Sequence, residues 1–367
     1  MKFRTYVLFW FLFGVAADTV IGLTLLRGAP WWALALMAAP TLAAGICLPP
    51  IGAGKSYTVF LRAFSYLIFI FEFPKFLAAL NGLFLPAGVA AGIGAAVSLF
   101  FITLIFYVTQ HLMVTETTLA FDNLPESANG LRICHIADFH LGSFGGKSPY
   151  IQRIVSTVNA QKPDVVLFTG DLVNFETREA YPYRDVLAGL PGPVYSVLGN
   201  HDFLLHGPND SNEKGRLADM ARLVEFEKAL GWRILRNESL ELRPGVSLIG
   251  VDNVSTNPYF RKVGGNLGKA LESVPKDAFK ILMSHDPSHW RMEVLPQTDI
   301  DLTLSGHTHG LKYKLTGLEV SHWKLHESGG LYEEGKRKLY VTFGLGSAFA
   351  FRLGGYPHID IITLTKT

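Results

Sequence analysis

The sequence predicts an all-α transmembrane domain of about four helices over residues 1–112, followed by an α/β domain over residues 131–367. Three observations lead there. Apolar residues make up 49% of the chain, the mean hydropathy is +0.25, and the excess is concentrated before Thr115. Beyond that point short β-rich apolar runs alternate with helix-like segments, the arrangement of a layered α/β domain. Run after run then stops at aspartate, asparagine or histidine beside glycine, and such sheets bind ligands outside the carboxyl ends of their strands.

Four apolar stretches, residues 6–26, 31–48, 57–73 and 83–108, meet or approach the roughly 20 residues that cross a bilayer as a helix. The breaks between them carry Arg27-Gly28-Ala29-Pro30, Pro49-Pro50-Ile51-Gly52, and Pro74-Lys75 through Asn81-Gly82. So continuous a run has no polar face to turn to water, which favours insertion over a buried helical core. The bilayer is therefore the first expected partner. Met1-Lys2-Phe3-Arg4 and the apolar run up to Asp18 also have the form of a signal peptide, whose removal leaves three spans. Lys2, Arg4, Lys55 and Arg62 outnumber Arg27 and Lys75 on the alternate side. The positive-inside rule and an even span count then place the C-terminal domain in the cytoplasm, on a multi-pass protein of the cell (inner) membrane.

Asp18 and Glu72 lie within or at the edge of spans, and Glu72 with Lys75 has the i, i+3 spacing of a local ion pair. Gly52-Ala53-Gly54-Lys55-Ser56 resembles the end of a phosphate-binding loop, but Pro49 stands where that pattern needs glycine and no strand precedes it. It is excluded. A formal net charge of +2 leaves no nucleic-acid footprint. The two cysteines, Cys47 and Cys134, fall in different halves and give no disulfide framework.

Residues 113–130 are polar and read as a linker. The apolar runs then follow in order. Residues 131–137 end in Asp138-Phe139-His140, residues 165–169 in Gly170-Asp171, and residues 194–198 in Gly199-Asn200-His201-Asp202. Residues 246–251 end in Asp252-Asn253, residues 279–284 in His285-Asp286, and residues 299–304 in Ser305-Gly306-His307-Thr308-His309-Gly310. Between them, residues 150–161 place Ile151, Ile154, Val155 and Val158 on one helical face, and residues 217–230 do so with Leu223, Phe226 and Leu230.

Asp138, His140, Asp171, Asn200, His285, His307 and His309 are imidazole, carboxylate and amide-oxygen donors in a number too large for one tetrahedral ion. They suit two divalent cations sharing one carboxylate. Two such cations about 3.5–4 Å apart clamp a bridging hydroxide and phosphoryl oxygens, and bring the pKa of water towards ~7. With no cysteine in the set, Mn, Fe or Zn is expected.

The pattern DxH…GD…GNHD…SHD…GHTHG closely resembles the calcineurin-like metallophosphoesterase superfamily, from about Leu131 to Thr367. The resemblance implies a metallophosphoesterase β-sandwich flanked by helices, with two metals at the strand ends. It implies that Asp138, His140 and His309 hold one metal, that Asn200, His285 and His307 hold the other, and that Asp171 bridges. His201 is then a general acid or stabilises the leaving oxygen, and Asp202 orients His201. In-line attack by metal-bound hydroxide follows, with no covalent enzyme intermediate.

Gly329-Gly330-Leu331-Tyr332, Leu339-Tyr340-Val341, Gly344-Leu345-Gly346 and Arg352 look like the C-terminal signature of the membrane-linked bacterial YkuE- and YaeI-type phosphodiesterases. Arg352 then becomes a contact for substrate phosphate, which guanidinium pairs bidentately. Members of that group hydrolyse the pyrophosphate of UDP-2,3-diacylglucosamine or act on phospholipid or nucleotide-type esters. The implied activity is metal-dependent phosphoric ester hydrolysis of a phosphodiester or pyrophosphate, on a lipid or lipid-linked substrate. Two other readings are the same chemistry on a soluble phosphoester and a catalytically silent membrane scaffold, and the intact ligand set weighs against the scaffold.

The sequence departs from the family where Leu311-Lys312-Tyr313 follows GHTHG, and Lys312 reads as solvated. His135 reads as packed within a strand and His289 as a structural neighbour of His285, while His111, His206, His322, His326 and His358 lie outside the motifs. The apolar stretch 203–208, directly after the GNHD turn, is expected to border the active-site mouth near lipid.

Overall fold

A computed structural model describes residues 3–367 apart from 24–25, 53–56, 147, 205–211, 257–262, 310–313, 316–317, 320–326, 349–351 and 353–354. Lys55, His206, Gly310, Lys312, His322, His326 and most of the 203–208 stretch lie outside the described residues. The chain divides into two compact units, Met1–Val108 and Thr109–Ala348 with Arg352–Thr367.

The first unit is all helix: α1 (Phe3–Leu23), α2 (Trp31–Gly52), α3 (Tyr57–Leu67), α4 (Phe73–Asn81) and α5 (Ala87–Phe106). A π-helical segment, Ile68–Glu72, joins α3 to α4, so the third apolar stretch continues past the Pro74 at which the sequence breaks it. Pro74 sits in the first turn of α4, where its missing N–H and its ring are tolerated after the wider π turn. Among the described residues, three stretches are long and apolar enough to cross a membrane, Trp31–Leu48, Phe60–Asn81 and Ala87–Gln110, and a shorter apolar helix covers Val7–Leu23. Glu72 and Lys75 form the expected ion pair at 2.8 Å.

The second unit is built on two six-stranded sheets. Its strands are β1 (Met113–Phe121), β2 (Arg132–Ile136), β3 (Val165–Phe168), β4 (Val194–Ser196), β5 (Arg233–Ile234), β6 (Glu238–Arg243) and β7 (Val246–Gly250). They continue with β8 (Phe279–Met283), β9 (Leu302–Ser305), β10 (Lys314–Leu315), β11 (Leu318–Glu319), β12 (Gly330–Glu334), β13 (Arg337–Val341) and β14 (His358–Lys366). One sheet has the order β1-β14-β2-β3-β4-β5, the other β12-β13-β9-β8-β7-β6, and β10 pairs with β11.

Alternation along the strands separates a core between the sheets from cores on their outer faces. Ile133, Val165 and Leu167 of the first sheet meet Leu248, Ile281 and Leu304 of the second between the sheets. Cys134, Val166 and Phe168 turn outward onto Ile151, Ile154 and Val158 of α6 (Pro149–Gln161) and onto Leu223 and Phe226 of the helix Glu213–Ala229. Ile249, Leu282 and Val341 pack outward on Trp290 and Leu267. Both faces of each sheet are thus covered, which is why the central strands read as unbroken apolar runs. Ser148 caps α6 by accepting from Tyr150 N at 3.2 Å, and Pro149 follows at a position that needs no N–H.

The linker assignment does not hold for its first half. Met113–Phe121 is an edge strand paired in parallel with β14 along all nine residues. Its inward positions start with Thr115 and Thr117 and reach Leu119 and Phe121 only at the end, so composition concealed a period-two pattern.

Candidate metal centre

Strands β2, β3 and β4 run parallel, as do β7, β8 and β9, so the motif-bearing turns all leave from carboxyl ends. Asp138 and His140 follow β2, Asp171 follows β3, and Asn200 and His201 follow β4. His285 follows β8, and His307 and His309 follow β9. The two rims are joined directly, because His285 Nδ1 donates to the Thr169 carbonyl at 2.8 Å.

Close backbone approach makes this possible. A Cβ on Gly199 would lie 2.2 Å from Asp171 Oδ1, and one on Gly306 would lie 2.7 Å from Asp138 Oδ2. Of the eight non-glycine residues with positive φ among the described residues, five are Asp138, His140, Asp171, His307 and His309. Such backbone strain gathers at functional sites, where the surrounding structure holds it in place.

Among the described residues, three groups of side chains converge closely enough to hold a cation: Asp138 with His140 and His309, Asp171 with His285 and His307, and His140 with Asp171 and His201. Asn200 joins the second group, its Oδ1 lying 3.0 Å from His285 Nε2 and 2.8 Å from His307 Nδ1. Asp171 Oδ2 lies 3.5 Å from His140 Nε2 and 3.2 Å from His285 Nε2, between the first two groups. All seven residues named as ligands from the sequence are therefore brought together.

The donors fit divalent cations. His140 Nδ1 and Nε2 and His309 Nδ1 are buried and have no hydrogen-bond partner among the described residues, a cost that a ligand would remove. Burial drives His140 down to about 3 and His309 well below the ordinary histidine range, keeping both imidazoles in the neutral, metal-binding form. Burial pushes Asp138 up to about 7, against the pull of His285. Burial also opposes ionisation of Asp171, but His285 and His201 hold its carboxyl well below the usual range. His285, which burial alone would depress, is held up to about 10 by Asp171 and Asp138. A divalent cation would take over the role that the His285 proton plays against those two carboxylates.

Two sequence assignments change. Asp202 does not orient the His201 ring: its carboxylate accepts from the backbone N–H groups of Asp171 (2.7 Å), Leu172 (2.9 Å), Val173 (3.3 Å) and Gly199 (2.9 Å). It ties the GD and GNHD turns together. The ring of His201 is instead held by the Asn174 carbonyl, which accepts from Nδ1 at 2.7 Å. Arg352 does not face a substrate. It is 2% exposed and its guanidinium donates to the carbonyls of Gly355, Gly344, Gly346, His309 and Phe343. The buried guanidinium is a clamp for the loops around Asp138 and His309.

Asp286 escaped the sequence reading. Its Oδ2 is 3.7 Å from His307 Nε2, on the opposite side of the ring from Asn200. A carboxylate directly after a ligand histidine was the available signal, since ligand imidazoles are usually oriented by an acid or carbonyl. His289 is a structural neighbour as expected, joining Ser284 Oγ (2.8 Å) to Glu293 Oε2 (3.3 Å). His135 is fully buried and meets Thr169 Oγ1 at 3.0 Å.

Two sheets flanked by helices, with aspartates and histidines from both rims around one shared carboxylate, define the metallophosphoesterase class. The family model for calcineurin-like phosphoesterases matches residues 131–311, and this chain carries a domain of that family. The chain is 31% identical over 244 residues to a zebrafish (Danio rerio) transmembrane protein with metallophosphoesterase domain, covering 64% of this chain and 52% of that protein. It thus spans about half the length of that relative. It is 26% identical over 280 residues to the uncharacterized metallophosphoesterase YkuE of Bacillus subtilis, covering 71% of this chain and 88% of YkuE. It is 28% identical over 250 residues to the phosphodiesterase YaeI of Escherichia coli, covering 65% and 84%.

Proposed function

We propose that this chain is a membrane-anchored dimetal phosphoesterase that cleaves a phosphodiester or pyrophosphate bond in a lipid or lipid-linked substrate. The observation that carries the reading is Asp171 Oδ2, set between His140 and His285 and hence between two clusters of donors. Asp138, His140 and His309 would hold one divalent cation, and Asn200, His285 and His307 the other, with Asp171 common to both. Bound cations of the Mn, Fe or Zn type supply Lewis acidity and lower the pKa of water.

The chain's own groups do the rest. The Asn174 carbonyl commits His201 Nδ1 to donating, which leaves Nε2 to hold the proton delivered to the leaving oxygen. Asp202 keeps the Asp171 and Gly199 turns in register, and Arg352 keeps the His309 backbone in place. The phosphodiesterase name borne by YaeI supports a diester substrate.

Three helices among the described residues that are long and apolar enough to cross a bilayer, and the word transmembrane in the name of the zebrafish relative, support the anchor. Anchoring confines the site to the neighbourhood of a membrane substrate, and the distribution of Lys and Arg between the apolar stretches favours the cytoplasmic side. The test is a lipid extract from a deletion strain. One phosphorylated lipid should accumulate and disappear on incubation with the purified full-length protein and Mn²⁺. An unchanged lipid profile, with brisk turnover of soluble diesters, moves the assignment to a soluble phosphoester.

A further inference from the structure

The His201 ring is held by a peptide group, and that peptide group is itself held. The Asn174 carbonyl accepts from His201 Nδ1 at 2.7 Å. On the opposite edge of the same planar unit, Phe175 N donates to Glu179 Oε2 at 3.3 Å. Asn174 N donates to the same oxygen at 2.6 Å, short for an N–H···O bond, as bonds to a carboxylate are. One carboxylate oxygen thus gathers two successive N–H groups, and the carbonyl between them is left pointing at His201.

Glu179 is buried and anchored from two sides. Its main chain closes the short 3-10 turn Thr177–Glu179, with Glu179 N donating to the Glu176 carbonyl at 3.2 Å. Thr177 Oγ1 ties that turn to the helix Glu213–Ala229 by donating to the Asp219 carbonyl at 2.7 Å. From the other side, the turn after His140 presses on the carboxylate: a Cβ on Gly142 would lie 2.5 Å from Oε2 and 2.6 Å from Cδ. Glycine at 142 is the condition for Glu179 to reach its two N–H partners. The neighbouring Glu176 is directed elsewhere, to Arg178 at 2.6 Å.

Other contacts point the same way. Asn174 Nδ2 donates to Ser143 Oγ at 2.9 Å, and Ser143 Oγ to the Ser347 carbonyl at 2.6 Å, so the Asn174 side chain is tied to the His140 turn as well. The Phe175 ring stands edge-on to His201, with centroids 6.2 Å apart and planes at 65°. An N–H bonded to a carboxylate also polarises its peptide, which makes the carbonyl at the far edge a stronger acceptor.

We propose that Glu179 is a positioning residue for His201: through the Asn174–Phe175 peptide it sets the ring at the attitude from which Nε2 delivers its proton to the leaving oxygen. The proton moves from His201 to that oxygen, and Glu179 neither gains nor loses one. This rests on the reading of His201 as the leaving-group acid.

Two substrates of one frame and different leaving groups test it on the full-length protein loaded with Mn²⁺. Nitrophenolate departs from bis-p-nitrophenyl phosphate with little help, whereas phenolate departing from diphenyl phosphate needs a proton. A positioned acid contributes ~10²–10⁴-fold, and Glu179→Ala should forfeit about tenfold of it in kcat on diphenyl phosphate. Its kcat on bis-p-nitrophenyl phosphate, KM for both substrates and metal content should stay near wild type. Glu179→Gln keeps an oxygen acceptor and should recover most of the loss. His201→Ala should show the same selectivity more strongly, and adding Glu179→Ala to it should cost nothing further. Equal losses by Glu179→Ala on the two substrates, or a further loss in the His201→Ala background, would overturn the role of Glu179 and leave His201 standing. Equal losses by His201→Ala itself would overturn the acid reading, and the proposal with it. Gly142→Ala sets a methyl against the carboxylate and carries the same prediction if Glu179→Ala does not fold.

Discussion

Arg352→Met removes a buried guanidinium whose donors serve five main-chain carbonyls, with Gly346 O at 2.5 Å, Gly355 O at 3.2 Å, Gly344 O at 3.3 Å and His309 O at 3.4 Å among them. Burial lowers its pKa to about 10, so the group is still charged at neutral pH, and Tyr150 and Asp138 help to keep it so. A hydrogen bond from a charged donor contributes about 1.5–3 kcal/mol net. Removing one side of a buried charged network typically costs about 3–5 kcal/mol, and that is the loss expected here. The effect should reach the metal centre, since the clamped segment Gly344–Gly346 lies against Asp138, with Gly346 N donating to the Asp138 carbonyl at 2.6 Å.

Urea denaturation read together with metal content by mass spectrometry checks this. Arg352→Met should lose stability and retain less metal, while KM measured on the metal-loaded fraction stays near wild type. Arg352→Lys keeps the charge but only three donors, and should fall between the two. A variant of normal stability and metal content with a several-fold higher KM would refute the clamp and restore the phosphate contact that the sequence suggested.

His307→Ala and His309→Ala should each deplete a different cation, because His307 belongs with Asn200 and His285, and His309 with Asp138 and His140. Anomalous scattering at two metal edges distinguishes this from loss of one shared ion. Glu227 is fully buried, and burial, with Asp202 adding to it, pushes its carboxyl up to about 8 from an ordinary 4.5. The folded state then binds the extra proton between those values, so its stability falls with rising pH across that window by about 1.4 kcal/mol per pH unit at most. Glu227→Gln should flatten that slope, leaving the variant more stable than wild type at pH 8 but not at pH 4. Denaturation midpoints at the two pH values check it.

The two-sheet fold was legible wherever a strand is buried on both faces, because those runs are continuous and each ends in polar residues that a rim can use. The residues 131–137, 165–169 and 279–284 coincide closely with β2, β3 and β8 for that reason. Met113–Phe121 was illegible because threonines occupy its first inward positions at a sheet edge. The third apolar helix extended past Pro74 because a π turn, which has no residue signature, precedes that proline.

At the site, the seven converging donor side chains were readable, while Asp286 and the main-chain partners were not. The Asn174 carbonyl that holds His201 and the four N–H groups that meet Asp202 exist only once the turns are folded. Arg352 misled for a related reason. A guanidinium suits phosphate and clustered carbonyls equally well, and only burial separates the two.

The central claim is that Asp171 joins two cation sites into one reaction centre. The most direct measurement is metal content per chain alongside turnover of bis-p-nitrophenyl phosphate, in wild type and Asp171→Asn, after loading with Mn²⁺ and with EDTA controls. Two cations per chain and EDTA-sensitive turnover are expected of the wild type, with both depressed together in Asp171→Asn. A wild type silent across Mn, Fe and Zn, or an Asp171→Asn variant that keeps two cations and full turnover, would contradict the account.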